Sequence, residues 1–332
     1  MSAVPNNANT AGFSTMPPPA PHAAAARARF NPKYLPLAAT ISLFVAMATL
    51  GSVLYTGFFS AQVFLNLLID NAFLIIVAVG MTFVILSGGI DLSVGSVVAL
   101  TTMVLAALVE HRGWNPMVAI PLVLLMGTAF GAFMGFLIER FRLQPFIVTL
   151  AGMFLARGFA SVLSQDSIPI DHEFYRTISS LYYRLPGGGR LSAIGLLMLA
   201  TFLVCGFIAH KTRFGSYVYA LGGNTISASL MGVPVARTTV QIYVLSSVLA
   251  ALAGIVFSLY TSAGYPLAAV GIELDSIAAV VIGGTLLTGG YGFIFGTLIG
   301  VMLQGLVQTY IVFDGTLSSW WTKIAIGFLL FM

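Results

Sequence analysis

The chain has 332 residues, of which 58% are hydrophobic and only 7% charged, with a formal net charge of +4. An ordinary soluble domain carries about a quarter charged residues, and no soluble protein of this size hides so much apolar surface, so the chain reads as an all-α polytopic membrane protein. The small positive balance sits in a few loops and reports orientation rather than nucleic-acid binding. The single cysteine, Cys205, excludes an intrachain disulfide and a cysteine metal cluster.

Residues 1–33 are rich in Ala, Pro, Asn, Ser and Thr and include Pro17, Pro18 and Pro19 in a row. Such a segment has nothing to pack and is expected to be a disordered tail. No apolar stretch follows until Tyr34, which argues against a signal peptide. Arg27, Arg29 and Lys33 then precede the first span, Tyr34 to Leu54, and place the N-terminus in the cytoplasm by the positive-inside rule.

From residue 34 onward the chain is one membrane domain of about ten spans. They are expected at Val63–Leu86, Leu92–Val109, Pro116–Ile138, Phe146–Leu163, Leu191–Ala209, Val240–Tyr260, Glu273–Leu287, Phe293–Phe313 and from Ser319 onward. The last apolar run stops at Met332, too short for a hydrocarbon core of roughly 30 Å, and so reads as truncated.

The most informative stretch lies between the second and third spans. Ser87 to Ser96 holds three glycines, three serines and Asp91, between flanks apolar enough for lipid. A helix opens at membrane depth only where protein or water satisfies its freed backbone groups, and such broken helices line substrate paths in transporters. Ser87, Gly88, Gly89, Asp91 and Ser93 are therefore candidate path residues. The plainer alternative is that Ser87 or Asp91 caps the next helix and the glycines serve close packing. A related pattern returns later: Leu86-Ser87-Gly88-Gly89 is matched by Leu287-Thr288-Gly289-Gly290, and Gly95-Ser96 by Gly296-Thr297 at the same interval. This predicts an internal repeat and adds Thr288, Gly289 and Gly290 to the path. Asp91 corresponds to Gly292, so any role for a carboxylate belongs to the first half alone. Arg157, within the fifth span and with no acid one turn away, either reaches the membrane surface or joins the path.

The loop from His210 to Thr238 carries Lys211, Arg213 and Arg237 and no acid, which argues for the cytoplasm. Its centre predicts one short helix between glycines: Gly222 and Gly223 before it, Asn224 or Thr225 as N-cap, Gly232 as stop. Ile226, Leu230 and Met231 are its apolar members. It is either an amphipathic surface turn or a docking helix for a partner protein. The four histidines lack metal-ligand spacing, and no Gly-Lys-Ser or Gly-Lys-Thr occurs. If transport uses ATP, another chain hydrolyses it.

These residues carry a resemblance. The run Gly80 to Ser96 is similar to the signature of membrane permeases of bacterial ABC sugar importers, the ribose/xylose/arabinose class. So are Thr149 to Met153 with Arg157-Gly158, Arg213-Phe214-Gly215 with Tyr219 to Asn224, Leu252-Ala253-Gly254, and Val281 to Thr285 with Gly289-Gly290. Leu181 to Leu196 and Phe313 to Lys323 most resemble a permease of galactofuranose importers. The resemblance implies an inner-membrane transport subunit, not an enzyme, without a cofactor of its own. It implies a second permease, a cytoplasmic ATPase that holds ATP and magnesium, a periplasmic sugar-binding protein and surrounding lipid as partners. It makes the Gly222–Gly232 segment the helix that couples to the ATPase. Two alternatives stay open: a same-family permease for a nucleoside or other polar solute, and a secondary transporter driven by an ion gradient.

Overall fold

The computed structural model describes residues 35–185 and 188–331, and from Pro36 onward the chain forms one contact unit. The tail 1–33 lies outside the described residues.

Among the described residues seven helices are long and apolar enough to cross a membrane. They are α1 (Leu35–Leu54), α4 (Val94–Ala106, continued by a wider turn to His111), α5 (Pro116–Phe141), α6 (Pro145–Leu163), α8 (Ala193–Lys211), α11 (Val235–Thr261) and α13 (Ile294–Asp314). A bent pair, α2 (Ala61–Asp70) and α3 (Ala72–Leu86), meets at 59° and forms either an eighth, broken span or a re-entrant loop. The bend has a visible cause. Asn71 turns its own carboxamide onto the Leu67 carbonyl at 2.9 Å, replacing the backbone N–H that a continuous helix would place there.

Among the described residues seven or eight helices qualify as spans by length and composition, where hydropathy predicts about ten. Two apolar runs counted as spans are short helices, α12 (Ile272–Ile282) and α14 (Trp321–Phe331), of 11 residues each. At 1.5 Å per residue each covers about 16 Å, roughly half a hydrocarbon core. The polar stretch after α6 is not featureless. It holds α7 (Glu173–Ser180) and the strand pieces β1 (Ile168–Pro169), β2 (Tyr182–Arg184) and β3 (Arg190–Ser192). β2 pairs with β3, and β1 pairs with β4 (Ala263–Gly264) after α11. The basic loop is likewise helical, with α9 (Arg213–Gly223) and α10 (Thr225–Leu230).

α3 and α11 form the core. Every residue of α3 except Phe73 is buried, which suits a helix apolar on all sides. α11 packs against α5, α3 and α4. Small residues bring α5 close: methyl groups at Gly127 or Gly135 would stand 2.8 Å from Ala251 Cβ and Val240 Cα, and one at Gly131 would overlap the Tyr243 carbonyl. Apolar surface gives no driving force between helices in lipid, so a glycine every fourth residue supplies contact area instead.

The expected repeat does not superpose the helix ends. α3 closes with Gly88 N–H on Ile85 O at 2.9 Å and Gly89 N–H on Val84 O at 3.0 Å. α12 closes in the same way, with Gly284 N–H on Val281 O at 2.9 Å and Thr285 N–H on Val280 O at 3.2 Å. Gly88 and Gly284 have φ of +83° and +89°, left-handed values that glycine adopts without strain. The structural partner of Gly88 is thus Gly284. Leu287-Thr288-Gly289-Gly290 lies inside the second connection, 283–293, which is longer than the first, 87–93.

Candidate functional site

Three stretches far apart in sequence meet at one end of the bundle. The Gly290 N–H donates to the Leu86 carbonyl at 2.8 Å. A methyl group at Gly222 would overlap both that carbonyl and the Gly290 nitrogen. At Gly289 it would stand 2.8 Å from Gly88 N and 3.0 Å from Gly222 Cα, and at Gly290 2.9 Å from Gly223 Cα. Backbone therefore packs on backbone where α3 ends, where α9 ends and within the 283–293 connection. The Tyr219 hydroxyl ties α9 to Gly292 O at 2.8 Å, and the Thr149 hydroxyl reaches Ile90 O at 3.3 Å from the start of α6. The same end carries Arg140, Arg142, Lys211, Arg213 and Arg237, with Glu139 among them.

α10 projects from this junction. Asn224 is its N-cap, accepting the Ser227 N–H on Oδ1 at 2.8 Å. Gly232, with φ +82°, ends it. Ala228 is buried and anchors the turn, while Ile226, Leu230 and Met231 are 75%, 85% and 73% exposed. Three large apolar side chains therefore stand exposed together on one short helix, an arrangement that marks a candidate interaction surface. Arg213 is exposed at the start of α9, whose N-cap is the Thr212 hydroxyl bonded to Gly215 N.

The residues predicted for a substrate path divide into three groups. Ser87, Gly88, Thr288, Gly289 and Gly290 lie at the junction, with Gly88 and Thr288 exposed and the Ser87 hydroxyl bonded to Val84 O at 2.7 Å. Gly89, Asp91 and Ser93 are enclosed. Asp91 is fully buried and accepts three hydrogen bonds: Ser93 N–H at 2.9 Å and Ser93 Oγ at 2.6 Å on Oδ1, Ser246 Oγ at 2.7 Å on Oδ2. It pins the first connection to α11 and to the start of α4. Arg157 stands apart from both groups. Its Nη1 donates to Pro266 O at 2.9 Å and Ala268 O at 2.8 Å, fastening the chain between α11 and α12 to α6.

Two features escaped the reading of the sequence. Ser246, the second holder of Asp91, had a signal in the serine pair that interrupts the apolar run of α11. Thr82 and Thr297 share a buried hydroxyl–hydroxyl bond of 2.7 Å that links α3 to α13. Neither threonine is distinctive alone. Among the described residues no group of His, Cys, Asp and Glu is arranged to hold a metal ion.

Residues 63–332 match the protein family described as branched-chain amino acid transport system / permease component. The chain belongs to this permease family. It is 62% identical to the inner membrane ABC transporter permease protein YjfF of Escherichia coli, over 90% of each chain. It is 38% identical to the fructose import permease protein FruG of Bifidobacterium longum, over 91% of this chain and 90% of the relative. It is 41% identical to the ribose import permease protein RbsC of Escherichia coli, over 81% and 83%. No solved structure matches. The permease is thus a multi-pass transport component of the ABC class rather than an enzyme.

Proposed function

We propose that this permease is the membrane-spanning subunit of an ATP-driven monosaccharide importer, and that galactofuranose or another pentose or hexose is its cargo. The observation that carries the coupling is α10. Its exposed Ile226, Leu230 and Met231 are braced through Gly222 and Gly223 against the ends of α3 and the 283–293 connection. A push on α10 by a docked ATPase therefore reaches, without slack, the backbone breaks of two parts of the bundle. The relatives named for fructose, ribose and L-arabinose support sugar as the cargo class. The cluster of basic residues around α10 supports a cytoplasmic position for this end. The start of α1 lies near the same end, where Pro36 Cβ would stand 3.1 Å from a methyl group on Gly284, which supports a cytoplasmic N-terminus in this reading.

In this reading ATP and magnesium belong to the cytoplasmic ATPase. A second permease completes the path, and a periplasmic sugar-binding protein delivers the cargo from the end opposite α10. The test is uptake into proteoliposomes carrying the permease, its paired permease and ATPase, with radiolabelled D-ribose, D-fructose and galactofuranose and with leucine as control. Sugar uptake that requires both ATP and the binding protein supports the reading. Uptake driven by an ion gradient alone overturns it.

A further inference from the structure

At the end opposite α10, a cleft of about 220 Å³ opens between α2 and α13. Its lining includes Asn66, Asp70, Asn71, Gln308, Thr309 and Phe313. Asn66, Asp70 and Gln308 are exposed on helices otherwise built for lipid. Gln308 lies six residues before the end of α13 at Asp314, about 9 Å along the axis of a helix just long enough to span a hydrocarbon core of roughly 30 Å. Polar and ionisable side chains at such depth do not face hydrocarbon; they face water, a cavity or another chain.

We infer that this cleft is a subsite for a neutral, hydroxyl-rich solute on the translocation path. The inference rests on the importer reading and names where its cargo is held. The free hydrogen-bonding capacity is mixed. Asp70, which lines the cleft, accepts the Tyr260 hydroxyl on Oδ1 at 3.1 Å, which leaves Oδ2 as an acceptor. Asn66 accepts from Gln62 Nε2 at 2.7 Å on Oδ1 and keeps its amide N–H groups. The Gln308 carboxamide has no partner among the described residues and offers both donor and acceptor. On the floor, Thr309 spends its hydroxyl donor on Gly305 O and Asn71 one of its two amide N–H donors on Leu67 O, each at 2.9 Å, and both retain acceptor oxygens. A hydroxyl is donor and acceptor at once, so adjacent hydroxyls on a ring satisfy such a set. Val63, Val312 and Phe313 supply an apolar wall for the carbon face of the ring.

Charge narrows the class further. Among the described residues no Lys, Arg or His lines the cleft, and Asp70 brings a carboxylate. Phosphorylated and carboxylate solutes are therefore disfavoured, including the carboxylate end of an amino acid. The floor is also set by close approach. A methyl group at Gly305 would stand 2.5 Å from Asn71 Nδ2, so the helices meet there and the cleft ends.

The experiment uses the assembled transporter in proteoliposomes with its binding protein, ATPase and radiolabelled D-ribose, D-fructose and galactofuranose. For whichever sugar is taken up, Asp70→Asn and Gln308→Ala should raise the KM of uptake by about tenfold, the loss of about 1.4 kcal/mol of binding. Independently, Asn66→Cys gives a reporter thiol at the rim, because the native Cys205 is buried. Saturating sugar should slow its labelling by a membrane-impermeant maleimide several-fold, whereas leucine should not. Unchanged KM in both variants, with labelling indifferent to sugar, overturns the subsite while leaving the importer reading intact. A disulfide between two Asn66→Cys copies on oxidation, without sugar protection, overturns it in favour of a contact between permeases. Absence of any sugar uptake by the unaltered transporter overturns the importer reading and the subsite together.

Discussion

The carbonyl of Leu86, the last residue of α3, accepts the N–H of Gly290 at 2.8 Å, and Gly222 lies against both groups. A helix terminus leaves its last carbonyls without intrahelical partners. Here one of them is satisfied by a distant connection, and the stem of α10 fills the space beneath. The bond thus makes the end of a membrane helix, the second connection and the projecting helix a single mechanical unit.

Gly222→Ala should break that unit. The added methyl overlaps backbone on two sides, and backbone does not swing aside as a flexible side chain does. Overpacking of this kind costs about 1–3 kcal/mol. We expect a lower melting temperature and ATP hydrolysis no longer matched to uptake. Gly223→Ala is the control, since nothing lies within 4 Å of the added methyl. Equal melting temperatures and uptake in the two variants would show that the junction tolerates separation.

Asp91→Ala should act first on folding. It strips acceptors from the Ser93 N–H, the Ser93 hydroxyl and the Ser246 hydroxyl in a fully buried site. Each buried donor left unsatisfied costs about 1–3 kcal/mol, though hydroxyls recover part by turning elsewhere. We expect less monodisperse permease and a lower melting temperature, with uptake per folded molecule changed less. Asp91→Asn keeps one carbonyl oxygen and should recover most of the yield. If Asp91→Ala is as abundant and stable as the unaltered protein yet transports nothing, the carboxylate acts in transport and the capping account fails.

The helical class and most long spans were legible because long apolar runs with few charges have one meaning in a sequence. The short helices were not. Residues 273–287 read as one span because hydropathy does not register that Gly283-Gly284 ends α12 early. The glycine motif at Leu287 to Gly290 suggested a repeat of Leu86 to Gly89, but the helix end that closes as α3 does is at Gly284, a few residues earlier. α10 was legible from Asn224 and Gly232, since capping is local chemistry. That Gly222 packs on Leu86 and Gly290 was not, because close backbone approach depends on tertiary placement. The spacing Gly127, Gly131, Gly135 was an overlooked signal for the α5–α11 contact.

Arg157→Met should loosen the segment between α11 and α12. The apolar stem survives, but both bonds to Pro266 O and Ala268 O are lost. Hydrogen bonds from a charged donor contribute about 1.5–3 kcal/mol, toward the low end for a half-buried guanidinium. Amide exchange over residues 265–271 should quicken while α10 exchanges as before. Unaltered exchange there would mean that the β1–β4 pairing alone holds the segment.

Ile226→Asp with Leu230→Asp tests the proposed docking surface. The two side chains are four residues apart on α10 and so share a face. Both are exposed, at 75% and 85%, and contribute little to the fold of the free permease. The double variant should therefore insert and melt as the unaltered protein does. A buried apolar anchor in an interface is worth about 1.5–3 kcal/mol, and carboxylates add a desolvation cost. Association with the ATPase should weaken by at least about tenfold, equivalent to about 1.4 kcal/mol. Capture of the periplasmic protein should be unaffected, because in the proposed assembly it engages the opposite end. The readout is the amount of ATPase that co-purifies with the permease, beside binding-protein capture in the same detergent. Wild-type stoichiometry with continued uptake would make α10 a solvated turn and move the docking surface to the neighbouring Arg140–Gln144 connection.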